Sequence, residues 1–249
     1  MMKAKNILEI CTSTYAAALA ASRAGADRIE LCSALAEGGL TPSVGMMREV
    51  IKLPHIRIHI LIRPRGGDFL YSPEEICIMK EDIKAARSCG AHGVVFGALR
   101  ADGQVDTDAM KTLMEAAEGM EVTFHRAFDM CCDPEKALEE IIRLGCRRIL
   151  TSGQAPKAVM ATKRLQSFIK QAAGRIVIMP GCGVNEQNAR QILAETGATE
   201  IHASASSTHA SKMKYRNPDV SMGNDGMDEF SICESDERKI SNILKVING

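Results

Sequence analysis

Four times the chain leaves a helix-like stretch through a glycine and enters a short apolar run. Ala24-Gly25-Ala26 precedes Arg28-Ile29-Glu30-Leu31, and Cys89-Gly90-Ala91 precedes Gly93-Val94-Val95-Phe96. Leu144-Gly145-Cys146 precedes Arg148-Ile149-Leu150, and Thr196-Gly197-Ala198 precedes Glu200-Ile201-His202. Glycine takes the left-handed conformation that ends a helix at no steric cost. Each instance therefore marks a helix stop followed by a buried strand. The intervals are similar, each long enough for two strand–helix units. The pattern predicts eight units closed into a single (β/α)8 TIM barrel spanning 1–249. In such barrels the chemistry gathers at the C-terminal ends of the strands.

Strands are expected at 6–11, 28–32, 56–62, 93–97, 121–125, 148–151, 175–179 and 199–203. They are short and mostly apolar or β-branched, as strands covered by helices should be. Helix starts are signalled by Thr41-Pro42, by Ser72-Pro73-Glu74-Glu75 with its capping-box glutamate, by Asp133-Pro134 and by Asn185. A last helix, over about 235–247, carries Ile240, Ile243, Leu244 and Ile247 on one stripe. One polar stretch, 204–233, breaks the rhythm with Asn217-Pro218, Met222-Gly223 and Asn224-Asp225-Gly226. Structureless loops of that length are functional or disordered, and this one is expected to be a lid over the barrel mouth.

A chain of 249 residues can fill one core of this kind. Lys and Arg number 31, as do Asp and Glu, so no basic excess draws the chain to nucleic acid or an anionic membrane. The polar start and the lack of a long apolar run predict no signal peptide and no membrane span, hence a cytoplasmic protein. Nine scattered cysteines with no Cys-x-x-Cys argue against a disulfide framework and a zinc ribbon. No motif for an organic cofactor is evident.

The strand ends are unusually polar. They carry Glu9 and Cys11, Glu30 and Cys32, His59 and Arg63, His125 and Arg126 with Asp129 beyond, Thr151-Ser152-Gly153, Gly181-Cys182-Gly183, and His202 with Ser204. Strand alternation places Glu9 with Cys11, Glu30 with Cys32 and His59 with Arg63 on common faces, expected to point inward. Such groups form either a neutralised cluster serving the core or a ligand pocket; apolar residues of similar volume would serve stability as well, which favours the pocket. Gly181-Cys182-Gly183 and the small run from Ser204 through Ser206 fall where TIM barrels often bind phosphate. The competing reading of that glycine pair is a tight turn into a helix. Cys11 and Cys32 end neighbouring strands, where they are either buried small apolar residues or soft ligands suited to Cu(I).

Several of these runs are specific. Glu9-Ile10-Cys11, Arg28 through Cys32 and Glu37 through Ser43, Arg63-Pro64-Arg65-Gly66-Gly67-Asp68-Phe69, Phe124-His125-Arg126-Ala127-Phe128-Asp129, Thr151-Ser152-Gly153, Pro180-Gly181-Cys182-Gly183 and His202-Ala203-Ser204 resemble the CutC family over nearly the whole chain. The resemblance implies a cytoplasmic TIM barrel linked to copper homeostasis, a homo-oligomer such as a dimer or tetramer, and Cu(I) binding through cysteines. Cys32 is the ligand position it carries over; Cys11 is added from strand adjacency.

Two functional expectations follow. In the first, Cys11 and Cys32 hold a copper ion as thiolates, with an imidazole as third donor. In the second, the barrel is an enzyme for a small anionic or phosphorylated metabolite. Gly181, Cys182, Gly183, Ser204 and Ser206 would hold phosphate, and Arg63 and Arg126 would orient other anionic groups. Glu9 or Glu30 would be the base and His125 or His202 the acid, within a polar mouth that includes His59 and Asp129. Arg216 would reach in from the lid. A divalent metal held by Glu9, Glu30, His125 and His202 is less favoured, because no close His-x-His or His-Glu-x-x-His spacing is present.

Overall fold

Strands and helices alternate along the chain in the computed structural model, which describes residues 5–217, 219–220 and 228–249. The order is β1 (Ile7–Thr12), α1 (Tyr15–Ala24), β2 (Arg28–Leu31), α2 (Val44–Val50), β3 (Arg57–Leu61), α3 (Pro73–Ser88), β4 (Gly93–Phe96) and α4 (Thr107–Ala116). It continues with β5 (Glu121–Phe124), α5 (Pro134–Arg143), β6 (Arg148–Thr151), α6 (Thr162–Ala172), β7 (Val177–Pro180), α7 (Ala189–Thr196) and β8 (Glu200–Ala203). Eight strands form one sheet in the order β7-β6-β5-β4-β3-β2-β1-β8, each paired in parallel with its neighbour. The result is a nearly closed TIM barrel. Gly25, Gly90, Gly145 and Gly197 all sit at φ between 79° and 89°, the left-handed stop that their spacing predicts.

The alternation of side chains sorts the barrel into two cores. Ile10, Ile29, Ile58, Ile60, Phe96 and Phe124 face outward and join the buried stripes of the helices in the main apolar core. Cys11, Cys32, Leu61 and Val95 form a separate small cluster. Apart from Leu150 and Met179, the rest of the bore is polar: Glu9, Arg28, His59, Thr123, Arg148, Glu200 and His202 are all buried. Gly93 belongs to this design, since a Cβ there would lie 2.7 Å from the His59 ring.

Helix caps follow the sequence with two differences. Ser72 and Glu75 form the expected capping box and Asp133 caps α5. The cap of α2 is Ser43, not Thr41, whose hydroxyl instead accepts the Arg63 N–H at 3.0 Å and so ties the loop to the end of β3. Asn185 accepts from Gln187 N in a turn, and α7 begins only at Ala189 after Asn188.

The stretch after β8 is not structureless. Ser206–Ala210 (β9) pairs antiparallel with Ser231–Ser235 (β10), forming a two-stranded ribbon that leads into α8 (Glu237–Asn248). Thr14 Oγ1 donates to Glu234 at 2.9 Å and Ser235 Oγ donates to the Cys11 carbonyl at 3.1 Å, so the ribbon base is fastened beside the start of α1. Pro218, Met222-Gly223 and Asn224-Asp225-Gly226 lie outside the described residues. Within α8, Ile240, Ile243 and Ile247 are buried as the stripe predicts, and Leu244 packs against them half-buried. No helix among the described residues is long and apolar enough to cross a membrane.

Candidate functional site

The buried charges of the bore are paired in series. Glu121 accepts from Arg57 and from Arg148, each at 2.8 Å. Arg148 Nε reaches Glu200 at 3.1 Å, and the same Glu200 oxygen accepts from Arg28 at 2.6 Å. Arg28 Nε donates to Glu9 Oε2, and Glu9 Oε1 accepts from His202 Nδ1 at 2.8 Å. Charges taken from water are tolerated when each meets an opposite partner and its hydrogen bonds are met. Burial opposes ionisation of Glu9, but Arg28 and His202 outweigh it and hold the carboxyl well below the ordinary range. The series thus turns a costly interior into a rigid one, and it fixes the His202 ring with Nε2 left for the barrel mouth.

At the mouth the pairing thins. His202 Nε2 stands 3.8 Å from Glu30, and burial pushes the Glu30 carboxyl upward. Cys11 Sγ lies 3.7 Å from Cys32 Sγ, while Cys32 donates to the Thr12 carbonyl at 3.3 Å. Hydrogen bonding to Cys32 and burial push the Cys11 thiol well above its usual value. Burial draws His202 down, but its bonds to Cys11 and Glu9 prevail and hold the imidazole well above 6.5. One donor atom each from Cys11, Glu30 and His202 falls within 4.8 Å of the others. These three line a cavity of about 230 Å³ together with Arg63, His125 and Arg126. The strand ends of β1, β2, β3, β5 and β8 therefore converge as the barrel pattern requires.

Other expected site residues sit elsewhere. His59 is fully buried below the mouth, its ring held neutral at about 3 by burial, with Glu121 3.7 Å away. Asp129 takes hydrogen bonds from Thr151, Ser152, Gln154 and Arg126, which makes it the fastener of the loop after β6. Gly181, Cys182 and Gly183 do not line the cavity. The Gly181 N–H donates to the Thr151 carbonyl at 3.0 Å, and a Cβ there would strike Leu150 at 2.4 Å. That glycine makes room for a neighbouring strand. Ser204 and Ser206 bond to each other at 3.4 Å on the exposed start of the ribbon. Arg216 stacks on Phe230 of the same arm at 4.5 Å.

The sequence reading missed Arg28, Arg148, Glu121 and Glu200. A local signal exists for three of them: Arg28, Arg148 and Glu200 stand two residues before Glu30, Leu150 and His202, hence on the same faces. Attention to C-terminal strand ends passed over the charges that neutralise them.

The CutC family model matches residues 6–207 of the chain. A CutC family protein of Bacteroides thetaiotaomicron is 50% identical over 242 residues, covering 96% of this chain and 95% of its own. The human copper homeostasis protein cutC homolog is 48% identical over 235 residues, covering 94% of this chain and 86% of its own. A solved CutC of Streptococcus agalactiae is 34% identical with a TM-score of 0.77, covering 80% of this chain and 98% of its own. An aldolase, QR15, is 14% identical with a TM-score of 0.62 over 82% of this chain and 92% of its own, a likeness of fold alone.

Proposed function

The chain belongs to the CutC family, and from that premise we propose that it handles copper, holding Cu(I) at the barrel mouth through Cys11 and Cys32 with His202 as third donor. The observation that carries this reading is the sulfur pair 3.7 Å apart whose Cys11 member clusters with the His202 imidazole, a ring already fixed in orientation by Glu9. Thiolate and imidazole are the donors Cu(I) prefers, whereas a hard cation would find one carboxylate, Glu30, in the cluster. Glu9 and Arg28 act behind the donors: the carboxylate holds His202 Nδ1 and leaves Nε2 to bind. The surroundings raise both Cys11 and His202, favouring their protonated forms, so a metal that takes the thiolate and the free imidazole nitrogen displaces protons and binds more tightly as pH rises.

An anaerobic competition titration against a chromophoric Cu(I) chelator tests the proposal. The expected result is tight one-to-one binding that is lost in the Cys11→Ser, Cys32→Ser double variant. Weak binding, or binding indifferent to both cysteines, would overturn it and favour the second reading, an enzyme for a small anion. That reading draws on Arg63, His125 and Arg126 in the same cavity.

A further inference from the structure

Arg63 is 6% exposed, yet among the described residues no carboxylate pairs with it. Its Nη groups donate to the carbonyls of Glu37, Gly39 and Gly67 at 2.9, 3.0 and 2.6 Å and its guanidinium lies over the Phe69 ring at 5.1 Å, but its Nε has no hydrogen-bond partner among the described residues. This differs from Arg28 and Arg148, which each meet two carboxylates. Carbonyl oxygens satisfy hydrogen bonds but leave the charge uncancelled, and an uncancelled buried charge is costly.

His125 sits on the same side of the cavity, 5% exposed, with Phe69 packed on its ring at 4.9 Å. Its Nδ1 accepts the Ala127 N–H at 3.2 Å, so the proton of the neutral ring lies on Nε2, which has no partner either. Arg126 stands at the rim, 45% exposed, with Nε on Asp129 and Nη2 on Ser152. Two buried nitrogens without acceptors thus share one wall with a second guanidinium, and Asp129, which answers Arg126, leaves Arg63 Nε and His125 Nε2 unmet.

We infer that the β3–β5 side of the cavity is a binding site for a compact oxyanion, a carboxylate or a phosphate group, held by Arg63, His125 and Arg126. An anion there supplies the acceptors that Arg63 Nε and His125 Nε2 lack and cancels the Arg63 charge, through hydrogen bonds of the strong, charge-assisted kind. The site deepens the small-anion reading of this cavity, on which it rests, and is independent of the copper reading, since it uses none of the sulfur donors. It also places the anion on a different side of the barrel from the glycine turn at 181–183.

The test is calorimetric titration of the metal-free, reduced protein with inorganic phosphate and, separately, malonate, at ionic strength held constant with chloride. Saturable one-to-one binding of at least one probe is expected, weakened tenfold or more by Arg126→Ala, which removes a rim side chain. Phosphate alone would identify a phosphoryl ligand, and malonate alone a carboxylate. Arg63→Gln should abolish binding, provided its urea midpoint shows that it folds. The Cys11→Ser, Cys32→Ser variant should bind the anion within twofold of wild type, so failure of the copper proposal would leave this one standing. Absence of saturable binding by both probes would overturn the inference. So would wild-type binding in Arg126→Ala, or loss of binding in the cysteine variant.

Discussion

The lower bore and the mouth of this barrel are built from the same kinds of residue and behave in opposite ways. Below, Glu121, Arg148, Glu200, Arg28 and Glu9 alternate in sign and each charge meets its opposite. Above, Glu30 faces His202 at 3.8 Å and the Cys11 thiol, Arg63 meets carbonyls, and Cys11 lies against a second thiol. Polarity alone therefore does not distinguish scaffold from site. What distinguishes them is whether the buried groups exhaust one another. Where they do, the interior is fixed; where they do not, it is chemically open to a ligand.

The sharpest way to break this comparison is to unpair the lower bore. Arg28→Met leaves Glu9 and Glu200 facing each other without their shared cation and should cost about 3–5 kcal/mol in urea unfolding. A loss below about 1 kcal/mol would mean the series carries little of the fold.

Acid should act next most strongly. His59 and His125 are held neutral, each at about 3 against an ordinary value near 6.5, with burial as the main cause. Below 6.5 the unfolded chain takes up protons that the folded rings refuse, so stability falls as pH drops towards 3. The fall should be roughly 2–3 kcal/mol per ring between pH 6.5 and 4. Glu9 adds to the loss at lower pH, as its depressed carboxyl finally protonates. His59→Leu should flatten the dependence of the urea midpoint on pH, at little cost at pH 7, because neither ring nitrogen has a hydrogen bond to lose among the described residues. An unchanged slope would remove His59 from the account.

The smallest effect is expected at the mouth. Glu30→Gln removes a carboxyl that burial already disfavours as an anion and that no arginine holds, so stability should stay within about 1 kcal/mol of wild type. A loss as large as that of Arg28→Met would erase the distinction between the two regions.

Most of the barrel was legible because its signals are local. Left-handed glycines, Ser72 with Glu75, Asp133, and the alternation in Arg28 through Cys32 each act within a few residues. Part of the cavity was legible for the same reason: Cys11, Glu30, Arg63, His125 and His202 are strand-end residues, and alternation aims them inward. Closure of the ladder was not. Which carboxylate meets Arg28 depends on strands up to 172 residues away, a register that no local pattern encodes. The Gly181 turn misled for a related reason. Its glycine answers Leu150 on the neighbouring strand, and sequence cannot tell close packing from close approach to a ligand. The ribbon was obscured because β9 and β10 are mostly exposed and short, giving no apolar alternation to read.

The order of the sheet runs from β7 to β8 without a hydrogen-bonded rung between those two strands. β8 is laddered only to β1, through Ile7 to Ile10 and Glu200 to Ala203. The barrel consequently has a seam, and breathing at that seam is resisted by side chains rather than by backbone bonds. Motion there would carry His202 together with Glu9 and Cys11 as one body, since they ride on the same strand pair, while Leu150 and Gly181 stay with the other flank. Cys11, Glu30 and His202 would keep their mutual geometry as the mouth widens, because β1, β2 and β8 are laddered together.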